Sequence, residues 1–315
     1  MSISVALTLL TFWSVVANIR RGPIFPSHLG DRVIGVSSFN GMAEECITDQ
    51  KTLWQVPEKV SLQEAATLPV SYGTAILALE HRAQTKPGET VLVTAAAGAT
   101  GLAVIDVATN VLQAKVIAAA GSDHKCQLAV QRGAQASVNY SQGGLKEAVR
   151  RLAGSGGVNV AIDMVGGEVF LEALRSLAWE GRMVVLGFAG GNIASVPANL
   201  LLLKNISAMG LYWGRYREQD FPVFYRSLSS ALQYLQQGRI RPHVGSVFRL
   251  EEVGSCCVTQ AGLELLDSKE PPASASQVDG TLGTDCHTWL PLYFMSHVRI
   301  YYLQSLLCIG CTSGQ

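Results

Sequence analysis

The stretch TAAAGATGLAVIDVATN, Thr94 to Asn110, places Ala95, Gly98 and Gly101 three apart, directly after the β-branched run ETVLV. Small residues at that spacing between a strand and a helix suit main-chain binding of a diphosphate. The first makes the tight bend, the second lets backbone N–H groups approach the anion, and the third lets the helix pack close to the strand. Ala95 fills the first position, so the three-glycine form is incomplete, and two glycines in a strand–helix turn also serve plain packing. Its place on the first strand of a repeated strand–helix series favours the dinucleotide reading.

The end of the next strand adds chemistry. A cofactor with a free ribose 2′-hydroxyl favours an acidic residue near that strand end, about 20 residues after the turn. The chain reads AAAGSDHKC there, with Gly121 and Ser122 at the strand end, Asp123 nearby and Lys125 in reach of a phosphate. A hydroxyl plus an ammonium suits a 2′-phosphate better than a bare ribose, which points to NADPH over NADH. The plainer alternative makes Lys125 an exposed residue of the first helical turn.

Composition narrows the class. Hydrophobic residues make up 48% of the 315 and charged residues 15%, as an α/β protein with a buried parallel sheet requires. Lys plus Arg equals Asp plus Glu at 24 each, so no basic footprint marks a nucleic acid or an anionic membrane as partner. Five of the seven cysteines lie in the last sixty residues, which argues against a disulfide framework and for a reducing compartment, the cytoplasm or the mitochondrion. Cys308-x-x-Cys311 is half of a metal motif without its second half, and no metal is expected. The apolar leader, Ile3 to Ala17, is shorter than the ~20 residues that span a bilayer, and Arg20 and Arg21 follow it instead of preceding it. It reads as strand-like or poorly ordered.

Several elements must position these residues. GDRVIGVSSF and MAEECITD read as strands, and Ser61 with Glu64 forms a capping box that starts a helix. Pro69 is expected to interrupt that helix, and a second one to run from Tyr72 to about Ala83. Strands are expected at Val91–Thr94, Lys115–Ala119, Ala136–Asn139, VNVAIDMV and GRMVVLGFA. Helices are expected at Gly101–Asn110, Lys125–Arg132, GLKEAVRRLA and VFLEALRSLA. Strand–helix units of this length need parallel pairing, because each crossover uses a helix. The fold class is therefore α/β, a doubly wound parallel sheet of the Rossmann type. NISAMGLYW then reads as a strand, FPVFYRSLSSALQYLQQG as an amphipathic helix and GSVFRLEEV as a strand. From Gly254 no period is sustained.

At these residues the chain resembles the zinc-free quinone oxidoreductase branch of the medium-chain dehydrogenase/reductases. The resemblance runs in order through GDRVIG, AATLPVSYGTAILAL, PGETVLVTAAAGATGLAVIDVA, VNYS, IDMVGG, GRMVVLGFAGG, PANLLLLKNISAMGLYWG and VFRLEEV, about Gly30 to Val253. It implies that Ala97, Gly98, Ala99, Thr100 and Gly101 cradle the pyrophosphate. Ser122, Lys125 and Tyr140 would hold the adenosine 2′-phosphate, Gly187, Phe188 and Ala189 would lie beside the nicotinamide, and Thr74 would face the cofactor from the interdomain helix. It further implies a hydride passed from NADPH to a small quinone or enone, catalysed by proximity and orientation, with no identified catalytic side chain. Homodimers would form through the outer Rossmann strand, near Ile206–Leu211. Zinc-dependent relatives carry a four-cysteine lobe after the GDRV strand, where this chain runs straight through VSSFNGMAEE.

The resemblance also implies a division of the chain. Residues 1–29 are a leader, 30–72 a remnant of a GroES-like catalytic domain, 73–213 the dinucleotide domain, and 214–253 a return to the catalytic domain. Residues 254–315 lie outside the family and resemble translated antisense Alu repeat (VTQAGLELLDS, PPASASQ); they are expected to be disordered. The catalytic domain is thus expected to be incomplete, with exposed sheet edges that favour aggregation and a substrate pocket that is not intact. Three functions are open at this point: an NADPH-dependent oxidoreductase, a dinucleotide-binding module without turnover, and a splice or exonised product without function.

Overall fold

The computed structural model describes residues 13–18, 31–37 and 48–247. A small antiparallel sheet comes first: β1 (Trp13–Asn18), β2 (Arg32–Ser37) and β3 (Leu53–Gln55), in that spatial order. β1 lies within the apolar leader and runs antiparallel to β2, Trp13 opposite Ser37 and Asn18 opposite Arg32. Most of the strand expected from MAEECITD lies outside the described residues; Thr48 and Asp49 lead into a short 3-10 turn at Gln50–Thr52.

α1 (Leu62–Thr67) starts as its capping pair predicts, with Ser61 Oγ accepting from the Glu64 N–H at 3.1 Å and lying 2.6 Å from Glu64 Oε2. Pro69 does not end the helix, contrary to expectation. The chain stays helical to Arg82, passing through a π turn at Leu68–Tyr72, then α2 (Gly73–Ile76), then a second π turn at Leu77–Arg82. Pro69 lies inside this continuous helix, and the wider π turn makes room for its ring and for the hydrogen bond it cannot donate.

The large sheet follows. β4 (Thr90–Val93) leads to α3 (Ala99–Asp106), which a π turn extends to Val111. β5 (Lys115–Ala120), α4 (Asp123–Gln131), β6 (Ala136–Asn139) and α5 (Leu145–Ala153) come next. Then come β7 (Val158–Asp163), α6 (Gly167–Arg175), β8 (Leu177–Val185), α7 (Ala198–Lys204) and β9 (Ser207–Gly210). α8 (Tyr216–Gln219) and α9 (Phe221–Gln236) complete the elements. All six strands pair in parallel, in the order β6-β5-β4-β7-β8-β9. This is the doubly wound Rossmann arrangement.

Two expected boundaries are corrected. The helix read through Ala178 stops at Arg175, and β8 begins at Leu177 instead of Gly181, because Leu177 pairs with Val158 across a register shift. No strand forms at Gly245–Val247, which are exposed; the rest of GSVFRLEEV lies outside the described residues.

Each sheet face has its own core. On one, Val91 and Val93 pack with Ala75, Ile105, Ala129 and Phe224, and this cluster continues to Ile34 and Trp54 of the small sheet. On the other, Leu92 and Ile117 pack with Val149, Phe170 and Leu174. Helices α3 and α4 therefore cover one face, α5 and α6 the other. The change of side falls between β4 and β7, and it opens a crevice at their C-terminal ends.

Candidate functional site

Five loops reach the crevice edge, and the turn after β4 is central. Ala95 adopts a left-handed φ of 46°, making the bend that glycine usually makes, at a cost of ~1 kcal/mol. The Ala96 N–H donates to Ala119 O at 3.1 Å, tying the turn to β5. Gly98 is the N-cap of α3 with extended dihedrals (φ −72°, ψ 165°) and no side-chain cap. The N–H groups of Ala99, Thr100 and Gly101 belong to the first helical turn, whose amides have no partner within the helix. Gly98 and Ala99 are exposed, Ala97 and Thr100 half-buried. A Cβ on Gly101 would stand 2.5 Å from Ala95 O and 2.7 Å from Ala96 O, so only glycine lets α3 sit this close to the turn. A Cβ on Gly98 would meet Ala95 O alone, at 3.3 Å, and otherwise project into open space.

At the ends of β5 and β6, Ser122 Oγ caps α4 by accepting from the Lys125 N–H at 3.4 Å. The Lys125 side chain is exposed. The Tyr140 ring covers Gly121, where a Cβ would lie 3.5 Å from the phenol oxygen. Burial, then the nearby Asp163 and Cys126 charges, push the Tyr140 hydroxyl above its ordinary value, so it stays protonated as a donor. Asp123 Oδ1 accepts from Asn139 Nδ2 at 2.8 Å, which holds this carboxylate against β6.

The loop after β8 lies on the loop after β7. The Ala189 N–H donates to Met164 O at 2.8 Å and the Gly190 N–H to Val165 O at 2.9 Å. Gly187, Phe188 and Ala189 are all half-buried, with nothing within 4 Å of a Cβ on Gly187 except Met164 O at 3.8 Å. Thr74 is half-buried on α2, which packs against α3. The turn at 97–101, the Ser122–Tyr140 corner and the 187–189 loop all follow parallel strands, so they share one edge of the sheet.

Two residues join the site that sequence reasoning does not single out, Thr94 and Asp163. Both are fully buried, and Thr94 Oγ1 donates to Asp163 Oδ1 at 2.7 Å. The available signal is a polar residue closing each of two apolar runs, TVLV and VNVAI. Among the described residues, no group of three or more His, Cys, Asp and Glu side chains is placed to hold a metal ion.

Comparison with known proteins agrees with this fold. The family model described as zinc-binding dehydrogenase matches residues 99–230. The chain is 83% identical over 224 residues to a cattle protein, quinone oxidoreductase-like protein 2, covering 71% of this chain and 64% of that one. The mouse protein of the same name is 80% identical over the same shares. The chain thus spans under two thirds of the length of these relatives. Among solved structures, the quinone oxidoreductase of Thermus thermophilus, also solved as its NADPH complex, is similar at 32% identity. That match has a TM-score of 0.65 and covers 77% of this chain and 74% of that one.

Proposed function

The chain belongs to the quinone oxidoreductase branch of the medium-chain dehydrogenase/reductases, and on that footing we propose that it binds NADPH in the β4–β7 crevice and supports hydride transfer to a small quinone or activated alkene. One observation carries this reading. The uncapped, exposed start of α3 stands at the C-terminal end of the central strand, where the sheet changes sides and Gly101 lets helix and turn close together.

The roles follow from position. The amides of Ala99, Thr100 and Gly101, with Ala97 and Gly98 beside them, take the pyrophosphate. Ser122, Lys125 and Tyr140 take the 2′-phosphate, while Asp123, engaged by Asn139, leaves room for a phosphate instead of gripping a ribose diol. The backbone of Gly187–Ala189 would lie beside the nicotinamide, and Thr74 would face the cofactor from the helix. When bound, NADPH supplies the hydride; the protein contributes orientation and exclusion of water, with no metal and no dedicated acid or base. A second copy paired through β9, an edge of the large sheet as described, completes the proposed assembly.

A second reading has an observation of its own. The residues assigned to the pyrophosphate and the 2′-phosphate all follow strands of the six-stranded sheet, so the binding part of the site lies within that unit. A module that binds NADPH without turnover fits that placement. The test is to titrate the purified protein with NADPH, follow cofactor fluorescence, then add a small quinone. Fluorescence enhancement followed by oxidation supports the enzyme; enhancement without oxidation leaves the module; no enhancement removes both. Lys125→Ala is expected to weaken NADPH about tenfold and leave NADH within about twofold, since one charge-assisted contact is lost. An equal loss for both would take Lys125 out of the site.

A further inference from the structure

The crevice opens where β4 and β7 stop pairing, and the last rung of their backbone ladder is the Thr94 N–H to Ile162 O, at 3.0 Å. One step further, side chains take over. Thr94 Oγ1 donates to Asp163 Oδ1 at 2.7 Å and accepts from the Met164 N–H at 3.0 Å. Asp163 then holds the loop that follows it, Oδ1 accepting from the Val165 N–H at 3.4 Å and Oδ2 from the Gly166 N–H at 3.0 Å.

The loop after β8 rests on this same segment. The N–H groups of Leu186, Ala189 and Gly190 donate to the carbonyls of Asp163, Met164 and Val165. Gly166 has a φ of 81°, and a Cβ there would collide with the Asn192 carbonyl oxygen. An unbroken series of hydrogen bonds therefore runs from Thr94, at the root of the pyrophosphate turn, to the loop proposed to flank the nicotinamide.

Strand packing does not account for this pair. Val91, Leu92 and Val93 fill the preceding positions of β4 with apolar side chains, and a buried Thr–Asp pair pays desolvation that an apolar pair avoids. Asp163 is fully buried, and burial pushes its carboxyl above its ordinary value despite the hydrogen bonds from Thr94, Gly166 and Val165. What the polar pair adds is direction: two side chains with fixed donors and acceptors at the point where the backbone ladder ends.

We propose that Thr94 and Asp163 are a positioning pair that fixes the gap between the 95–101 turn and the 186–190 loop, and so presets the crevice for its ligand. That the ligand is NADPH rests on the reading above; the setting of the gap does not.

The test uses the full 315-residue chain as wild type, Thr94→Val, Thr94→Ser and Asp163→Asn. Amide hydrogen exchange without cofactor is measured at 164–166 and 186–190, beside thermal stability and NADPH affinity. Thr94→Val keeps the volume and removes both hydroxyl contacts. Exchange at both segments is expected to rise about tenfold and NADPH affinity to fall about tenfold, with Thr94→Ser restoring both to within about twofold. Asp163→Asn has one acceptor oxygen where the carboxylate has two, so it loses either the Val165 N–H or the Gly166 N–H, and exchange rises at the same two segments. A merely structural pair would instead raise exchange across the sheet in step with lost global stability. Unchanged exchange at 186–190, equal damage from Thr94→Ser and Thr94→Val, or no folded protein from either Thr94→Val or Asp163→Asn overturns the proposal. Wild type that takes no NADPH removes the cofactor reading, and exchange still decides the pair.

Discussion

Side chains added at positions 98 and 101 would fall into different surroundings. At 98 the backbone is already extended and a Cβ meets one carbonyl at 3.3 Å, so Gly98→Val keeps the fold with a small shift of the turn and fills the space before the helix amides. We expect NADPH affinity to drop about a hundredfold, the loss of roughly two charge-assisted hydrogen bonds, with a stability loss of at most ~1 kcal/mol. At 101 a methyl group would collide with two backbone carbonyls that cannot yield without moving the turn. Gly101→Ala should therefore cost ~1–3 kcal/mol of stability as well as binding, read by urea denaturation. Equal stability losses for the two variants would mean that the 98 position is packed, not open. The pattern of small residues is legible in the sequence at this scale, including the packing role of the third position, which the contacts around Gly101 bear out. Thr94 and Asp163 mark the limit: a polar residue at a strand end is ordinary in sequence, and only the pairing of β4 with β7 brings the two together.

Between elements, Arg182 clamps the N-terminal ends of the sheet. Its guanidinium meets both Glu89 carboxylate oxygens, at 2.9 and 2.6 Å, while Nε donates to Ala83 O, joining β8, the start of β4 and the end of the long helix. Burial pushes the Glu89 pKa up, but the hydrogen bonds from Arg182 and the Lys86 amide outweigh it, so the carboxyl lies below its ordinary 4.5. A depressed acid gives stability that is complete above the unfolded value and lost as pH falls through the folded one. Urea midpoints should therefore decline below about pH 4.5, and Glu89→Gln should lower stability by ~1–3 kcal/mol at pH 7 while flattening that decline. An unaltered acid limb in the variant would assign the decline to other carboxylates. The alternation of apolar strands with helices dictates a parallel, doubly wound sheet, since each crossover uses a helix. Helix continuity through Pro69 and the early start of β8 are not legible. The first depends on a π turn sustained by packing against α3 and α9, and the second on Leu177 finding Val158, a partner far away in sequence.

For the molecule as a whole, Trp54 ties the small sheet to α9, near the far end of the described chain. Trp54 is buried, stacks on Tyr225 with ring centroids 5.0 Å apart, and meets Phe224 edge-on at 6.0 Å. Its indole N–H donates to Ser229 Oγ at 3.1 Å. Trp54→Ala should cost ~3–5 kcal/mol in chemical denaturation, and Trp54→Phe clearly less; a loss under ~1 kcal/mol for alanine would show that the small sheet contributes little to the cooperative unit. Trp54 and Ser229 are separated by 175 residues of chain. A ribosome adding roughly 5–20 residues per second needs roughly ten to thirty-five seconds to pass from one to the other. Throughout that interval the tryptophan has been made and its seat has not, so a nascent chain arrested ahead of residue 221 would carry it bare into reach of chaperones near the exit tunnel.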